Sequence, residues 1–202
     1  ARGVVMGLTA TNLVEHGDFR GGLNGWVTKG ARDDQYYFDS ENSAFYINTK
    51  YNNLGVANTV GVPIVGHKYY FKMMGKQVNG IGRTVSVGWG ANSNNAYNPN
   101  RFEFTPSDYN TDTFSIMSKV FTVTEIGDNR TDEILISGHS RYECDLLFKG
   151  VILVDLTSTF GAGNEPTKEE CDQIFANYFD GTKSTVSAMR VKSVGKNLFD
   201  KD

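Results

Sequence analysis

The chain has 202 residues, of which 39% are hydrophobic and 21% are charged, and its formal net charge is −3. This length suits one large domain, or one domain with a small appendage, and the apolar fraction is enough for a sizeable core. The slightly acidic balance argues against nucleic acid as a partner, and no apolar run approaches the roughly 20 residues that cross a bilayer.

The sequence divides into four predicted parts. Residues 1–11 are a linker or a first strand, and residues 12–160 form a β-sandwich domain. Residues 161–182 hold a connector and a docking helix, and residues 183–202 form an exit strand or the start of a next module. Ala1-Arg2-Gly3 lacks the charged and apolar regions of a signal peptide, so we expect the chain to be a piece of a longer polypeptide.

Short segments rich in β-branched and aromatic residues follow one another along the chain, with Asn- and Gly-containing turns between them. Several of these segments alternate polar and apolar positions at period two, which is typical of half-buried strands. Short strands at this spacing predict an all-β sandwich or barrel. The predicted strands are Tyr36–Phe38, Ala44–Asn48, Val56–Val60, Lys68–Met74, Thr84–Trp89, Phe102–Thr105, Thr113–Val123, Glu133–Ser137 and Leu146–Leu153.

Near the C-terminus, a segment carries the pattern of a helix. Thr167 followed three residues later by Glu170 forms the capping box of a helix start, and Asp180-Gly181 predicts its end. Because a helix of about three turns is marginal alone in water, its apolar stripe must pack on the sandwich or on a neighbouring subunit. The stripe consists of Cys171, Ile174, Phe175, Tyr178 and Phe179.

The start of the predicted sandwich has a distinctive order of small, acidic and aromatic residues: Asn12-Leu13, then Gly17-Asp18-Phe19, then Gly21-Gly22-Leu23-Asn24-Gly25-Trp26. Together with the closing strand Val151–Asp155, it resembles the two ends of jelly-roll carbohydrate-binding modules. The resemblance implies a mainly β fold, a jelly-roll-like β-sandwich with one C-terminal α-helix, in which Trp26 packs inside.

The same resemblance implies a structural Ca²⁺ held by Gly17, Asp18 and Asp155. In the resembled modules an acidic residue usually follows the Phe, whereas this chain has Arg20 there. The change removes an oxygen ligand from a cation that takes about six to eight of them. The alternative is that Asp18 caps a turn and that Asp155 pairs with Arg20.

A second resemblance concerns the segment from Asp155-Leu156-Thr157 through Phe160–Thr167. It resembles a segment that recurs in tail and minor structural proteins of phages and prophages of Gram-positive bacteria. This implies a location in the virion, as part of a phage tail, with other tail modules as partners and with assembly into a homotrimer as one option.

The candidate ligand-binding residues lie in or near an Asn-rich loop. Trp89 is flanked by glycines at a strand end, where an exposed ring could stack on a sugar; a core position is the alternative. Asn92, Tyr97 and Arg101 follow within the loop, and amides there suit sugar hydroxyls, although such loops are also simply solvated. Tyr142 is a further candidate aromatic contact.

Catalysis has little support in the sequence. His139, Glu143 and Asp145 form a cluster of titratable groups, but no nucleophile stands in a recognisable context. We therefore predict that the protein is not an enzyme, with an enzyme acting on wall polymers as a remote third class. Cys144 and Cys171 are predicted to be buried thiols, with a disulfide as the alternative.

The favoured function is a non-catalytic, phage tail-associated module that binds host cell-wall or surface polysaccharide. The alternative is a structural spacer or oligomerisation module without glycan binding, in which the helix stripe is the seam between subunits.

Overall fold

In a computed structural model, the protein is described for residues 8–30, 36–49, 55–78, 84–90, 99–109, 112–128, 130–138 and 144–186. Two five-stranded antiparallel sheets pack face to face around one core. We call them sheet I and sheet II. In spatial order, sheet I consists of β2 (Trp26–Lys29), β5 (Gly55–Thr59), β10 (Glu133–Gly138), β7 (Val85–Trp89) and β8 (Arg101–Phe104).

Sheet II also has five antiparallel strands, and the α-helices follow the last of these strands in the sequence. In spatial order it consists of β3 (Tyr36–Asp39), β4 (Ala44–Thr49), β11 (Cys144–Asp155), β6 (Lys68–Gln77) and β9 (Ser115–Thr122). A separate two-stranded sheet joins β1 (Leu8–Thr11) to β12 (Thr182–Val186). The helical elements are a 3-10 turn at Pro106–Asp108 and the α-helices α1 (Leu156–Phe160) and α2 (Lys168–Ile174).

The core lies between the inward faces of the two sheets, where alternate residues of each strand meet. Aromatic side chains fill the part of the core around Phe19. Phe19 packs against Trp26, Phe45 and Phe148 at ring-centroid distances of 5.0, 5.8 and 5.6 Å. The prediction that Trp26 packs inside is confirmed: the side chain is buried, and its Nε1 donates to the carbonyl of His16 at 3.0 Å.

The predicted fold class is confirmed: the chain is mainly β, with two antiparallel sheets and short helices. All nine predicted strands form, with ends displaced by no more than three residues. Strand β2 was not among them, because its four residues follow a glycine-rich turn and are too few to show a period. Residues 187–202, which the exit-strand prediction includes, lie outside the described residues.

The helical prediction needs two corrections. A short helix that the sequence did not indicate, α1, directly follows β11, with Asp155 as its N-cap. The capping box of Thr167 and Glu170 is confirmed at the start of α2, but that helix ends at Ile174 rather than at Asp180. Beyond its last turn, the Nζ of Lys72 donates to the carbonyls of Phe175 and Ala176 at 2.8 and 2.9 Å. These bonds satisfy carbonyl groups that a longer helix would need.

Of the two surfaces proposed for the helix stripe, the protein's own sandwich is the one observed. Cys171 and Phe175 are fully buried on the outer face of sheet II, where the Phe175 ring stacks on Tyr70 at 5.5 Å. The Cys171 side chain is buried, as predicted, and its Sγ lies 3.9 Å from the carbonyl oxygen of Pro166. No helix among the described residues is long and apolar enough to cross a membrane.

Candidate functional site

The expectation of an exposed Trp89 ring is wrong. Trp89 is only 2% exposed, its Nε1 donates to the carbonyl of Gly61 at 2.9 Å, and its ring packs edge-to-face on Tyr69 at 4.7 Å. The reason is strand alternation, because Trp89 shares the inward face of β7 with Val85 and Val87. The core position, given above as the alternative, is therefore the one that the structure shows.

The other candidate ligand residues are separated from Trp89. Asn92, Tyr97 and Tyr142 lie outside the described residues. Arg101 opens β8 and is exposed on the outer face of sheet I, opposite Gly88 in the register of β7 and β8. Trp89 and Arg101 thus lie on opposite faces of the same sheet, and only Arg101 reaches solvent there.

We call the outer face of sheet I the groove, because of the sizes of the side chains that its strands present. Its three central strands present small or sunken side chains, whereas the edge strands β2 and β8 present larger ones. Neighbouring strands lie about 4.8 Å apart, so the floor between β5 and β7 is roughly 10 Å wide. The floor residues are all buried and, from β5 through β10 to β7, are Gly55, Ala57, Leu135, Ser137, Ser86 and Gly88.

Charged side chains border this groove on the β8 side. The Nη2 of Arg101 donates to the Oγ of Ser86 at 2.7 Å and to the Oε1 of Glu103 at 3.2 Å. The hydrogen bond to Ser86 draws the guanidinium over the edge of the floor. Donor and acceptor groups are therefore held side by side at this rim.

A second ion pair lies on the side of the groove near β2. Lys29 on β2 reaches the carboxylate of Glu133 on β10, with Nζ–O distances of 3.2 and 3.1 Å. Arg130 adds a longer contact to the same carboxylate at 3.5 Å. Because both members of the Lys29–Glu133 pair are largely shielded from solvent, the pair is a more fixed feature than an ordinary surface ion pair.

Within the described part of the chain, the floor holds a polar group that makes no hydrogen bond, the hydroxyl of Ser137. The side chain of Ser137 is 6% exposed, and its hydroxyl has no hydrogen-bond partner among the described residues. It lies between Gly55 and Ser86 in the register of the sheet. A buried hydroxyl without a partner costs free energy, and a ligand hydroxyl in the groove would supply one.

Most of the groove residues were missed in the sequence. A signal exists in Val85-Ser86-Val87-Gly88-Trp89, where large inward side chains alternate with small outward ones. The same alternation in Glu133–Ser137 places a carboxylate and a hydroxyl on the outward face. Only strand pairing shows that these outward positions lie side by side.

The residues proposed for Ca²⁺ have other partners. The carbonyl of Gly17 accepts from Val151 N at 2.9 Å, and Asp18 pairs with Arg20 at 3.3 Å. Asp155 accepts from the backbone N–H of Ser158 at 2.9 Å and pairs with the Nδ1 of His67 at 2.8 Å. The alternative pairing of Asp155 with Arg20 is thus wrong.

These contacts show that the donor set does not fit a calcium ion, which needs about six to eight oxygens directed at one point. Asp155 is used as a helix cap, and Asp18 is neutralised by its neighbour Arg20. Among the described residues, no group of three or more His, Cys, Asp or Glu side chains is placed to hold a metal ion.

A cleft of about 430 Å³ lies at the end of the sandwich where Trp89 and Asp155 come together. Its apolar wall includes Val62 and Ile64, both half exposed. Tyr69 also lines it, and burial raises the pKa of that phenol to about 12. The cleft thus combines an apolar wall with a carboxylate. Its two aromatic rings, Tyr69 and Trp89, are buried and pack edge-to-face on each other.

No family model and no curated protein matches the chain. Solved structures do resemble it. A family 16 carbohydrate-binding module has a TM-score of 0.51 at 20% identity, over 71% of this chain and 100% of that one. A CBM4 structure has a TM-score of 0.50 at 14% identity, over 67% and 97% of the two chains.

The CBM22-1 xylan-binding domain from Paenibacillus barcinonensis Xyn10C has a TM-score of 0.50 at 10% identity, over 72% of this chain and 95% of that one. At such identities the likeness shows a shared fold. The jelly-roll-like sandwich expected from the two ends of the domain is therefore confirmed.

Proposed function

We propose that the protein is a non-catalytic module that binds a carbohydrate chain in the groove of sheet I. The observation that carries this proposal is the buried Ser137 hydroxyl, which has no hydrogen-bond partner among the described residues and lies on a floor about 10 Å wide. A sugar chain presents hydroxyl groups along its length, and each can both donate and accept a hydrogen bond.

The rims of the groove supply complementary groups. Arg101 and Glu103 place donors beside acceptors at one edge, and the Lys29–Glu133 pair does the same nearer the other. Because these groups are already held by protein contacts, little side-chain freedom is lost on binding. The carbohydrate-binding names of the structures that share the fold agree with this class of ligand.

The biological setting is a further part of the proposal. The resemblance of the Asp155–Thr167 segment to phage tail proteins favours a virion location and a polysaccharide of the host cell wall or surface as the target. Other tail modules are then its partners. The spacer alternative proposed that the helix stripe is the contact between subunits, but Phe175 of that stripe is buried on the protein's own sheet II. Homotrimer formation stays a prediction, to be tested by solution mass.

Binding to purified Gram-positive cell walls and to a glycan array tests the proposal. Arg101→Ala removes one rim, and Ser137→Leu fills the floor; we expect each to weaken binding at least tenfold, about 1.4 kcal/mol. Arg20→Ala is the matched control, since it removes an exposed arginine that belongs to no strand of sheet I and should leave binding unchanged. Absence of binding to every wall and glycan, or equal binding by all three variants, would overturn the proposal.

A further inference from the structure

The helices and segments that the structure describes cover only half of the outer face of sheet II. At the end near His67, the side chains Tyr70, Ile152 and Val154 lie beneath α2 and the segment that follows it. The other half carries no helix among the described residues. Four outward side chains of β3, β4 and β11 lie there, and we call them the tyrosine face: Tyr37, Tyr46, Asn48 and Asp145.

An aromatic pair dominates this face. Tyr37 and Tyr46 lie directly opposite each other on β3 and β4, with stacked rings 4.4 Å apart and 25° between their planes. Tyr37 is 52% exposed. Since one side of its ring is against Tyr46, the exposed part includes the opposite side, which faces the edge of the sheet. A flat, open ring face held by a neighbour needs no rearrangement to receive a ligand.

A preorganised polar group lies beside the aromatic pair. The Tyr46 hydroxyl donates to the Oδ1 of Asp145 at 2.6 Å, and the Nδ2 of Asn48 donates to the same oxygen. Asp145 is only 6% exposed. Burial, together with this bond to Asp145, raises the pKa of Tyr46 to about 12, so the phenol remains a donor at neutral pH.

We propose that the tyrosine face is a second carbohydrate site, separate from the groove of sheet I. A neutral pyranose ring stacks its C–H side on the open face of Tyr37, and its hydroxyls bond to Asn48 and to the Tyr46–Asp145 pair. Asn48 is suited to this because its side-chain oxygen has no partner among the described residues. The Asp145 carboxylate disfavours an anionic sugar at the same place.

The two sites lie on opposite sides of the sandwich, because the groove is the outer face of sheet I and the tyrosine face is the outer face of sheet II. A single glycan segment therefore cannot fill both. Two sites of modest affinity on one module would increase its retention on a surface that displays many copies of a polysaccharide. The inference takes its ligand class from the proposed function, but it does not need the groove to bind.

The test uses the ¹⁵N-labelled full chain, titrated with soluble oligomers of glucose, galactose, rhamnose and N-acetylglucosamine. Amide shifts report where each oligosaccharide binds. With at least one of them we expect shifts in β3 and β4 that persist in Arg101→Ala. Tyr37→Ala should weaken binding at this face about tenfold, as expected for the loss of an aromatic contact, whereas Tyr37→Phe keeps the ring and should retain it.

The possible outcomes separate the two proposals. Shifts in β3 and β4 without any in β7, β8 or β10 would support the second site and count against the groove. Shifts confined to sheet I, or none with any of the oligosaccharides, would overturn the second site. Equal affinity of Tyr37→Ala and the unchanged chain at β3 and β4 would overturn it as well.

Discussion

The buried side chain of Asn12 joins the N-terminal segment, the closing strand and the C-terminal segment. Its Nδ2 donates to the carbonyls of Val151 and Phe179, both at 3.1 Å. Its Oδ1 accepts from Val14 N at 3.1 Å and from Leu153 N at 2.9 Å. The side chain is only 4% exposed, so water does not substitute readily for any of these bonds.

Asn12→Ala is therefore expected to be strongly destabilising. It leaves the backbone N–H groups of Val14 and Leu153 buried without an acceptor, at a cost of about 1–3 kcal/mol each. The lost donation to two carbonyls adds about 1 kcal/mol. The expected total is about 3–7 kcal/mol, which is a large part of the roughly 5–15 kcal/mol that stabilises a typical domain.

Urea denaturation followed by circular dichroism measures this loss, with an unchanged slope showing that the same surface unfolds. Asn24→Ala is the matched control. Asn24 is exposed in a turn, and its side chain forms no hydrogen bond with the described residues. Removing this side chain should therefore change the free energy of unfolding by no more than about 0.5 kcal/mol. A cost below about 1 kcal/mol for Asn12→Ala would refute the reasoning.

Two further predictions concern the docking of α2 on sheet II. Phe175→Ala should lower the free energy of unfolding by about 3–5 kcal/mol, because the ring is buried on Tyr70. Phe179→Ala is the control. Its side chain is only partly buried, so its loss should lower the free energy of unfolding by less in the same urea denaturation assay. Burial by itself would raise the pKa of Asp172, but hydrogen bonds from Ser118 and Tyr70 outweigh it and hold that pKa below its ordinary value. Ionised Asp172 thus stabilises the fold above its unfolded pKa of about 3.9, and this contribution is lost as the pH falls through the lower folded-state value. The stability difference between Asp172→Asn and the unchanged chain should therefore be largest near neutral pH and shrink in acid, and a difference independent of pH would contradict this assignment.

Nine strands were predictable because their residue patterns are local. The pattern of Lys68–Met74 predicts a strand, and it forms β6, which runs from Lys68 to Gln77 with Tyr69, Phe71 and Met73 in the core between the sheets. The capping box of Thr167 and Glu170 is also local and is confirmed. The end of α2 was not predictable, because Lys72, about a hundred residues away in sequence, bonds the carbonyls that follow it.

The candidate site was predictable only in part. Arg101 was identified and lies at the rim of the groove, but Trp89 turned inward because its position in the alternation of β7 outweighs the glycines on either side of it. The alternation in Glu133–Ser137 places Ser137 on the outward face, but a serine at such a position is common and did not mark a site. Its significance arises from burial beside Gly55 and Ser86, which are distant along the chain.

The sequence by itself determined nine of the strands, the start of α2 and the class of fold, because hydrophobic period and turn chemistry are properties of neighbouring residues. The tertiary structure decided which outward side chains share a surface. Strand order places Ser86 beside Ser137 and Tyr37 beside Tyr46, and these neighbours come from different strands. The groove and the tyrosine face exist only after strand pairing has set the register.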